Sequence, residues 1–258
     1  MLDTKNIPLV NFSENFQLPG TGKVLMFRHE TISAWVAEIM PQLKQLDPEK
    51  VMPIGKCSLE LQLWKQRELL TCYTDKQDVF SFVAVDGETH IPILRTENGD
   101  VWMSLTPNEV ATQRSGLRIA NGNVLIGGMG LGWLAKRVLE RLTVNQVTVV
   151  DINQDILNYF GKPLKQQYGD RLTLVHSDFY QYKHITSHNV VLVDIWETFG
   201  GAFQDRQFKE FKRRYSSKLK IWGWGDNEFR GFKDKSFEKM NYFEKLRLAD
   251  LVVNLNGR

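Results

Sequence analysis

Apolar and polar positions change period along this chain. Between residues 23 and 105 the repeat is mostly two-fold. Residues 23–27 read as a strand. Phe80, Phe82 and Ala84 alternate with Ser81, Val83 and Val85, and Asp86-Gly87 closes that run as a turn. Residues 91–94 and 101–105 flank Glu97-Asn98-Gly99-Asp100, and Asn-Gly between two β-like runs predicts a hairpin. Residues 59–73 also read as a strand, with Leu59, Leu61 and Leu63 in alternation. One helical stretch intervenes. Ile32, Trp35, Val36, Ile39, Met40 and Leu43 recur at helical spacing over 32–46, where Pro41 must bend or end the helix. Residues 1–22, broken by Pro8, Pro19, Gly20 and Gly22, read as an irregular arm.

The second half alternates strand and helix. Val124, Leu125 and Ile126 form a short apolar run, and Gly127, Gly128, Gly130 and Gly132 follow at once. Leu131, Leu134, Ala135, Val138, Leu139 and Leu142 then keep helical spacing. Strands are predicted at 147–150, 172–175, 190–193 and 219–224. A helix follows Ile152 and is stopped by Gly161 and Pro163, and a basic helix covers 203–215. A helix near 109–115 connects the two halves, and a last helix is read at 237–251. Such alternation implies a parallel sheet with helices on both faces. The fold class is therefore α/β: a β-rich α+β region over 1–105 and a Rossmann-like domain over 106–258.

Composition narrows the class. The chain has 258 residues, 42% of them hydrophobic, enough for a substantial core, and a net charge of +3 that does not by itself call for nucleic acid. No apolar run is long enough to span a membrane, and the first residues do not read as a signal peptide. Cys57 and Cys72 form no metal spacing and no disulfide framework, which fits a reducing cytoplasm. His29, His90, His176, His184 and His188 make no convincing site, so no metal is expected.

The candidate chemistry lies where strands end. A glycine turn lets a ligand lie against backbone, and the helix opening there offers free N–H groups suited to a phosphate or carboxylate. Asp151, Asp178 and Asp194 follow the second, third and fourth strands of the second half, on the edge where such sheets bind ligands. Asp151 can accept hydrogen bonds from a ribose diol, and Asp178 can take an adenine amino group. The same residues admit a second reading, because Gly130-x-Gly132-x-x-Ala135 with Asp151 satisfies a dinucleotide fingerprint and implies an NAD-dependent oxidoreductase.

Four pieces in order, VLIGGMGLG at 124–132, VTVVDIN at 147–153, HSDFYQY at 176–182 and VVLVDIWE at 190–197, make the chain resemble a class I S-adenosylmethionine-dependent methyltransferase, and within it the spermidine synthase-like branch. That resemblance implies a sheet of order 3-2-1-4-5, which can end after its fifth strand, and S-adenosylmethionine as cofactor. It implies Gly128, Gly130 and Gly132 under the methionine and ribose, Asp151 on the ribose hydroxyls, and Asp178 with Phe179 around the adenine. Gly127 and Ile152 complete the cofactor-binding set. Asp194 would face the reacting centre and, with Glu197, serve as the catalytic carboxylates, while Trp196 would stack on substrate. Aminopropyl transfer from decarboxylated S-adenosylmethionine is the alternative, although Gly130 stands where that branch usually carries an aspartate.

A binding role is a further reading. Arg206, Lys209, Lys212, Arg213, Arg214, Lys218 and Lys220 cluster against Glu210 alone, and Trp222, Trp224, Phe229, Arg230 and Phe232 follow. A solvated helix face beside a buried strand explains the same residues. The expected partner is thus a small-molecule acceptor before nucleic acid, with no membrane contact and room for a homodimer.

Overall fold

The computed structural model describes residues 7–19, 23–41, 43, 47–73, 80–197 and 201–226. The predicted helix at 237–251 and the residues Phe229, Arg230 and Phe232 lie outside them.

The second half forms a five-stranded, all-parallel sheet. Its strands are β9 (Gly122–Gly127), β10 (Val144–Asp151), β11 (Leu172–His176), β12 (Val190–Val193) and β13 (Lys220–Gly223), in the order β11-β10-β9-β12-β13. Counted within this half the order is 3-2-1-4-5, a Rossmann-like sheet. The central stretches, Val124–Ile126 of β9 and all of β12, are apolar at every position because both faces are covered. Val124, Ile126, Val190 and Leu192 join the larger buried cluster on one face, while Leu125, Val191 and Val193 join a second cluster on the other. The first face is covered by α2 (Pro107–Ile119) and α3 (Trp133–Leu139), and the second by α7 (Arg206–Tyr215) through Phe208 and Phe211. Burying a side chain such as Phe208 stabilises by roughly 1.5–3 kcal/mol.

Three predicted helices change. The segment after β10 does not stop at Gly161 and Pro163. It starts as α4 (Gln154–Ile156), passes through a π-helical turn (Leu157–Gly161) and continues as α5 (Lys162–Tyr168). Pro163 falls in the first turn of α5, where its missing N–H costs little. The predicted basic helix is two pieces, α6 (Gly201–Gln204) and α7. Asp205 lies between them and accepts hydrogen bonds from Gln207 N and Phe208 N as the cap of α7. α3 is shorter than its pattern, and Leu142 beyond it is fully exposed.

The first half contributes two four-stranded sheets and α1 (His29–Ile39). One sheet runs β1-β2-β6-β5, from β1 (Leu9–Val10), β2 (Val24–Phe27), β5 (Leu70–Tyr73) and β6 (Phe80–Val85). The other runs β3-β4-β7-β8, from β3 (Met52–Ile54), β4 (Cys57–Trp64), β7 (Thr89–Arg95) and β8 (Val101–Ser104). The single strand read over 59–73 is two strands in different sheets. The polar run Lys65-Gln66-Arg67-Glu68 turns the chain between them, and Trp64 Nε1 closes the turn on Glu68 O at 2.9 Å. The Asn98-Gly99 hairpin joins β7 to β8 as expected, with Gly99 at φ +86°.

The arm is not wholly irregular, since Leu9 and Val10 pair with β2. Phe12 and Phe16 are buried, and Glu14 Oε1 accepts from Trp35 Nε1 (2.6 Å), Trp133 Nε1 (2.9 Å) and Arg137 Nε (2.8 Å). One buried cluster contains residues of both halves, from Phe12 to Trp224.

Candidate functional site

A cavity of about 250 Å³ opens at the carboxyl ends of β9, β10 and β12. The strand order reverses between β9 and β12, so this is the switch point where open parallel sheets take ligands. Gly128 and Gly130 of the turn, Asp151 and Ile152 after β10, Asp178 and Phe179 after β11, and Asp194 and Trp196 after β12 all line it. Leu94, Trp102 and Met103 from the β7–β8 hairpin close its other side.

The glycine turn is tight for reasons internal to the protein. Gly128 has φ +92°, and a Cβ there would fall 2.0 Å from the Asp194 carbonyl oxygen. At Gly130, with φ +48°, it would meet Met103 Sδ at 2.1 Å. Only glycine permits both the dihedral and the approach. Gly127 lies in β9 against the Phe179 ring, and Gly132 caps α3, so neither lines the cavity.

The turn's own N–H groups are mostly engaged. Gly128 N donates to Val150 O, Met129 N to Asp151 Oδ2 (2.7 Å), Leu131 N to Met103 Sδ (3.0 Å) and Gly132 N to Met129 O. Among the described residues only the Gly130 N–H of this turn lacks a partner. The turn spends its donors on its own fold.

Asp151 is 6% exposed. Its Oδ2 takes the Met129 N–H, and its Oδ1 takes the Asn153 N–H at 2.7 Å. Burial raises its pKa, and the two N–H groups and nearby His176 offset part of that rise. The side chain therefore ties β10 to the glycine turn while forming part of the cavity wall. Ile152 beside it is 66% exposed although it lines the cavity, an apolar shelf open to a ligand. Asp178 caps the short helical turn Phe179–Gln181 through Tyr180 N at 2.8 Å and still lines the cavity. Phe179 is buried between Gly127 and Phe211, and it serves the core as well as the cavity wall.

Asp194 meets two residues that the sequence pattern does not single out. Gln113 Nε2 donates to Asp194 Oδ2 at 2.7 Å and reaches Glu109 Oε1 at 3.3 Å. Gln113 is fully buried, and its Oε1 has no hydrogen-bond partner among the described residues. Burial pushes the Asp194 carboxyl up to about 7. Glu109 is also raised, by burial and then by the Asp194 charge, against the Gln113 hydrogen bond. Thr106 Oγ1 accepts from Glu109 N at 3.2 Å, a Thr-x-x-Glu pattern that marks the start of α2. That signal was available in the sequence; the distant contact with Asp194 was not.

Trp196 borders the cavity, held by Nε1 donating to Asp205 Oδ2 at 2.9 Å and packed edge-on against Phe208. The same Asp205 oxygen accepts from Tyr180 Oη at 2.6 Å. Burial would raise the Asp205 pKa, but the hydrogen bonds from Tyr180, Trp196, Phe208 and Gln207 outweigh it and lower it. Asp205 thus fixes two aromatic walls at once. Glu197 is exposed and does not line the cavity, so the predicted pair of carboxylates is not assembled; Glu109 lies nearer to Asp194 through Gln113.

Trp222 and Trp224 are buried rather than exposed beside the basic helix. Their indole N–H groups donate to Ser115 Oγ and Thr112 Oγ1 of α2. Of the histidines, His29 Nδ1 lies 2.9 Å from Asp86 Oδ1, which also accepts the His29 N–H at the start of α1. His188 is buried between the backbone of the preceding turn and Thr148.

The cavity's charge is one-sided. Asp151, Asp178 and Asp194 line it, and among the described residues no lysine, arginine or histidine does.

No family model and no curated relative matches this sequence. Among solved structures the chain is similar to a spermidine synthase from Thermotoga maritima, at 16% identity over 73% of this chain and 74% of that one, with a TM-score of 0.39. It is similar to a proposed RNA methyltransferase from Pyrococcus horikoshii, at 16% identity over 46% of this chain and 58% of that one, with a TM-score of 0.32. It is also similar to M. capricolum TrmK in complex with S-adenosyl-homocysteine, at 18% identity over 41% of this chain and 46% of that one, with a TM-score of 0.32. The chain thus spans less than two thirds of the length of the last two.

Proposed function

We propose that this chain is an S-adenosylmethionine-dependent transferase, and that the group it transfers is a methyl. The observation that carries the reading is the cavity's charge. Three carboxylates with no cation among the described residues, beside a glycine turn whose own N–H groups are nearly all engaged, suit a positively charged nucleoside and disfavour a dinucleotide's pyrophosphate.

The residues present fit that cofactor. Asp151 and Asp178 would hold the ribose and adenine, Ile152 would offer an apolar shelf, and Gly128 and Gly130 would let the ligand lie on backbone. When bound, S-adenosylmethionine supplies an electrophilic methyl on a sulfonium. Methyl transfer asks little of the protein beyond alignment and an acceptor proton's destination. Asp194 is suited to that destination. Its Oδ2 is held by Gln113, its Oδ1 has no hydrogen bond among the described residues, and its pKa of about 7 suits a base at neutral pH. Gln113 orients it, bridging it to Glu109, whose own carboxyl burial pushes toward the neutral form.

One observation favours aminopropyl transfer as a second reading. A turn with a single free N–H of its own, and a cavity wall without a cation among the described residues, offers little to the carboxylate of S-adenosylmethionine, which the decarboxylated form lacks.

Calorimetric titration of the full chain with S-adenosylmethionine, its decarboxylated form and NAD decides among these. The expected result is heat from S-adenosylmethionine and none from NAD. Preference for the decarboxylated form would select the second reading, and binding of NAD alone would overturn both.

A further inference from the structure

A second concave surface adjoins the cavity. It is a groove of about 520 Å³ along α7, and Tyr180 and Gln207 line both the groove and the cavity. Tyr182 and Tyr215 add two partly exposed rings, and Arg213 and Arg214 stand at its rim. Glu210 is the one acid in its lining.

The charges here are the reverse of those in the cavity. Helix α7 carries Arg206, Lys209, Lys212, Arg213 and Arg214 against Glu210. Lys212 is paired with Asp226 at 2.6 Å, whereas Arg206, Lys209, Arg213 and Arg214 are exposed and make no ion pair among the described residues. The apolar face of the helix, Phe208 and Phe211, is used for packing, so this basic face is left to solvent. Arg214 lies over the Tyr215 ring at 5.4 Å, and aromatic rings beside arginines that make no ion pair can stack bases while the cations hold phosphates.

We propose that the groove along α7 binds single-stranded nucleic acid, with phosphates on Arg213 and Arg214 and bases against the tyrosines, and delivers one base past Tyr180 and Gln207 into the acidic cavity. This deepens the reading of the cavity as a cofactor site, on which it rests, and replaces the expected small-molecule acceptor with a nucleic-acid one. The division of charge supports it. The phosphates stay on the cationic rim, and only an uncharged base enters the cavity lined by carboxylates.

The test is fluorescence anisotropy of the full chain with a labelled oligouridylate of about 12 nucleotides, a length typical of such sites. Binding is expected to weaken steeply as salt rises from about 50 to 200 mM. R213A/R214A is expected to weaken it at least about tenfold and to flatten the log–log salt slope by about 1.4, the value for two phosphate contacts on a single strand. Both arginines are exposed, so this variant tests the surface without disturbing the core. Tyr215→Ala is expected to cost about fivefold or more with the slope unchanged, as loss of stacking does. No binding by the wild type, equal binding by R213A/R214A, or equal binding to a duplex of the same length would each overturn the proposal. So would uridine monophosphate competing as well as the strand does at equal base concentration, which would mark a nucleotide site. Titration with S-adenosylmethionine in parallel separates the two ideas. If the strand binds and S-adenosylmethionine does not, the groove stands and the cofactor reading falls. If S-adenosylmethionine binds and the strand does not, only the groove is lost.

Discussion

Asp151 ends β10 and Asp194 follows β12, the strands on either side of β9, and both line one cavity, yet they are built for different tasks. Asp151 accepts two backbone N–H groups at 2.7 Å, which favour its charged form against burial. Asp194 receives a single side-chain amide, shares it with Glu109 and is pushed up to about 7. One carboxylate fastens a loop through two backbone donors that offset part of burial's upward push on its pKa. The other holds a proton near neutrality and can exchange it. Burial alone does not decide the fate of an acid; the donors that surround it do.

The largest effect should come from the fastened acid. Asp151→Ala leaves the Met129 and Asn153 N–H groups without an acceptor at the base of the glycine turn, a cost of roughly 2–5 kcal/mol. Urea unfolding should show that loss, together with loss of nucleoside binding. A variant as stable as the wild type would mean that Asp151 contributes only to ligand contact.

Asp194 should respond in the other direction and with pH. In the folded chain its pKa is about 7 against the ordinary 3.8, so between those values the folded state holds a proton that the unfolded state has released. The stability from this group is full below its unfolded pKa and is lost as pH rises through 7. Asp194→Asn should therefore raise stability at pH ~8 by roughly 1–3 kcal/mol and leave it almost unchanged near pH ~4. Thermal melts across that range would show it. A pH-independent difference would contradict the assignment.

Met103→Leu should have the smallest effect. It keeps the volume but removes the sulfur that accepts the Leu131 N–H, at a cost below about 1.5 kcal/mol by denaturant melts. If Met103 is what denies that donor to ligands, the variant should also bind inorganic phosphate or a carboxylate more readily than the wild type. Unchanged anion affinity would show that the sulfur is not the barrier.

The parallel sheet was legible because its strands are buried on both faces and read as short apolar runs ending in acids. The cavity's glycines and aspartates were legible for the same reason: strand ends are marked in sequence. What was not legible depends on distance along the chain. Glu109 and Gln113 look like ordinary polar positions of a connecting helix, and only packing of α2 on the sheet brings them to Asp194, 81 residues away for Gln113. Met103 looks like a strand residue, and its sulfur reaches the glycine turn only because the hairpin folds over the sheet. Pro163 misled for a local reason, since a π-helical turn just before it absorbs what would otherwise be a stop.

Glu14 ties the arm to Trp133 and Arg137, separated from Trp133 by 119 residues of sequence. On a ribosome the arm emerges long before the helix that holds it. At about 5–20 residues per second the delay is on the order of 6–24 s. Throughout that interval Phe12 and Phe16 can find Phe27 and Trp35 at once, but the Glu14 carboxylate has only the Trp35 indole and must wait for Trp133 and Arg137. The first half is thus assembled around an unfinished charge, and arrival of the glycine-turn helix both neutralises that charge and closes the molecule.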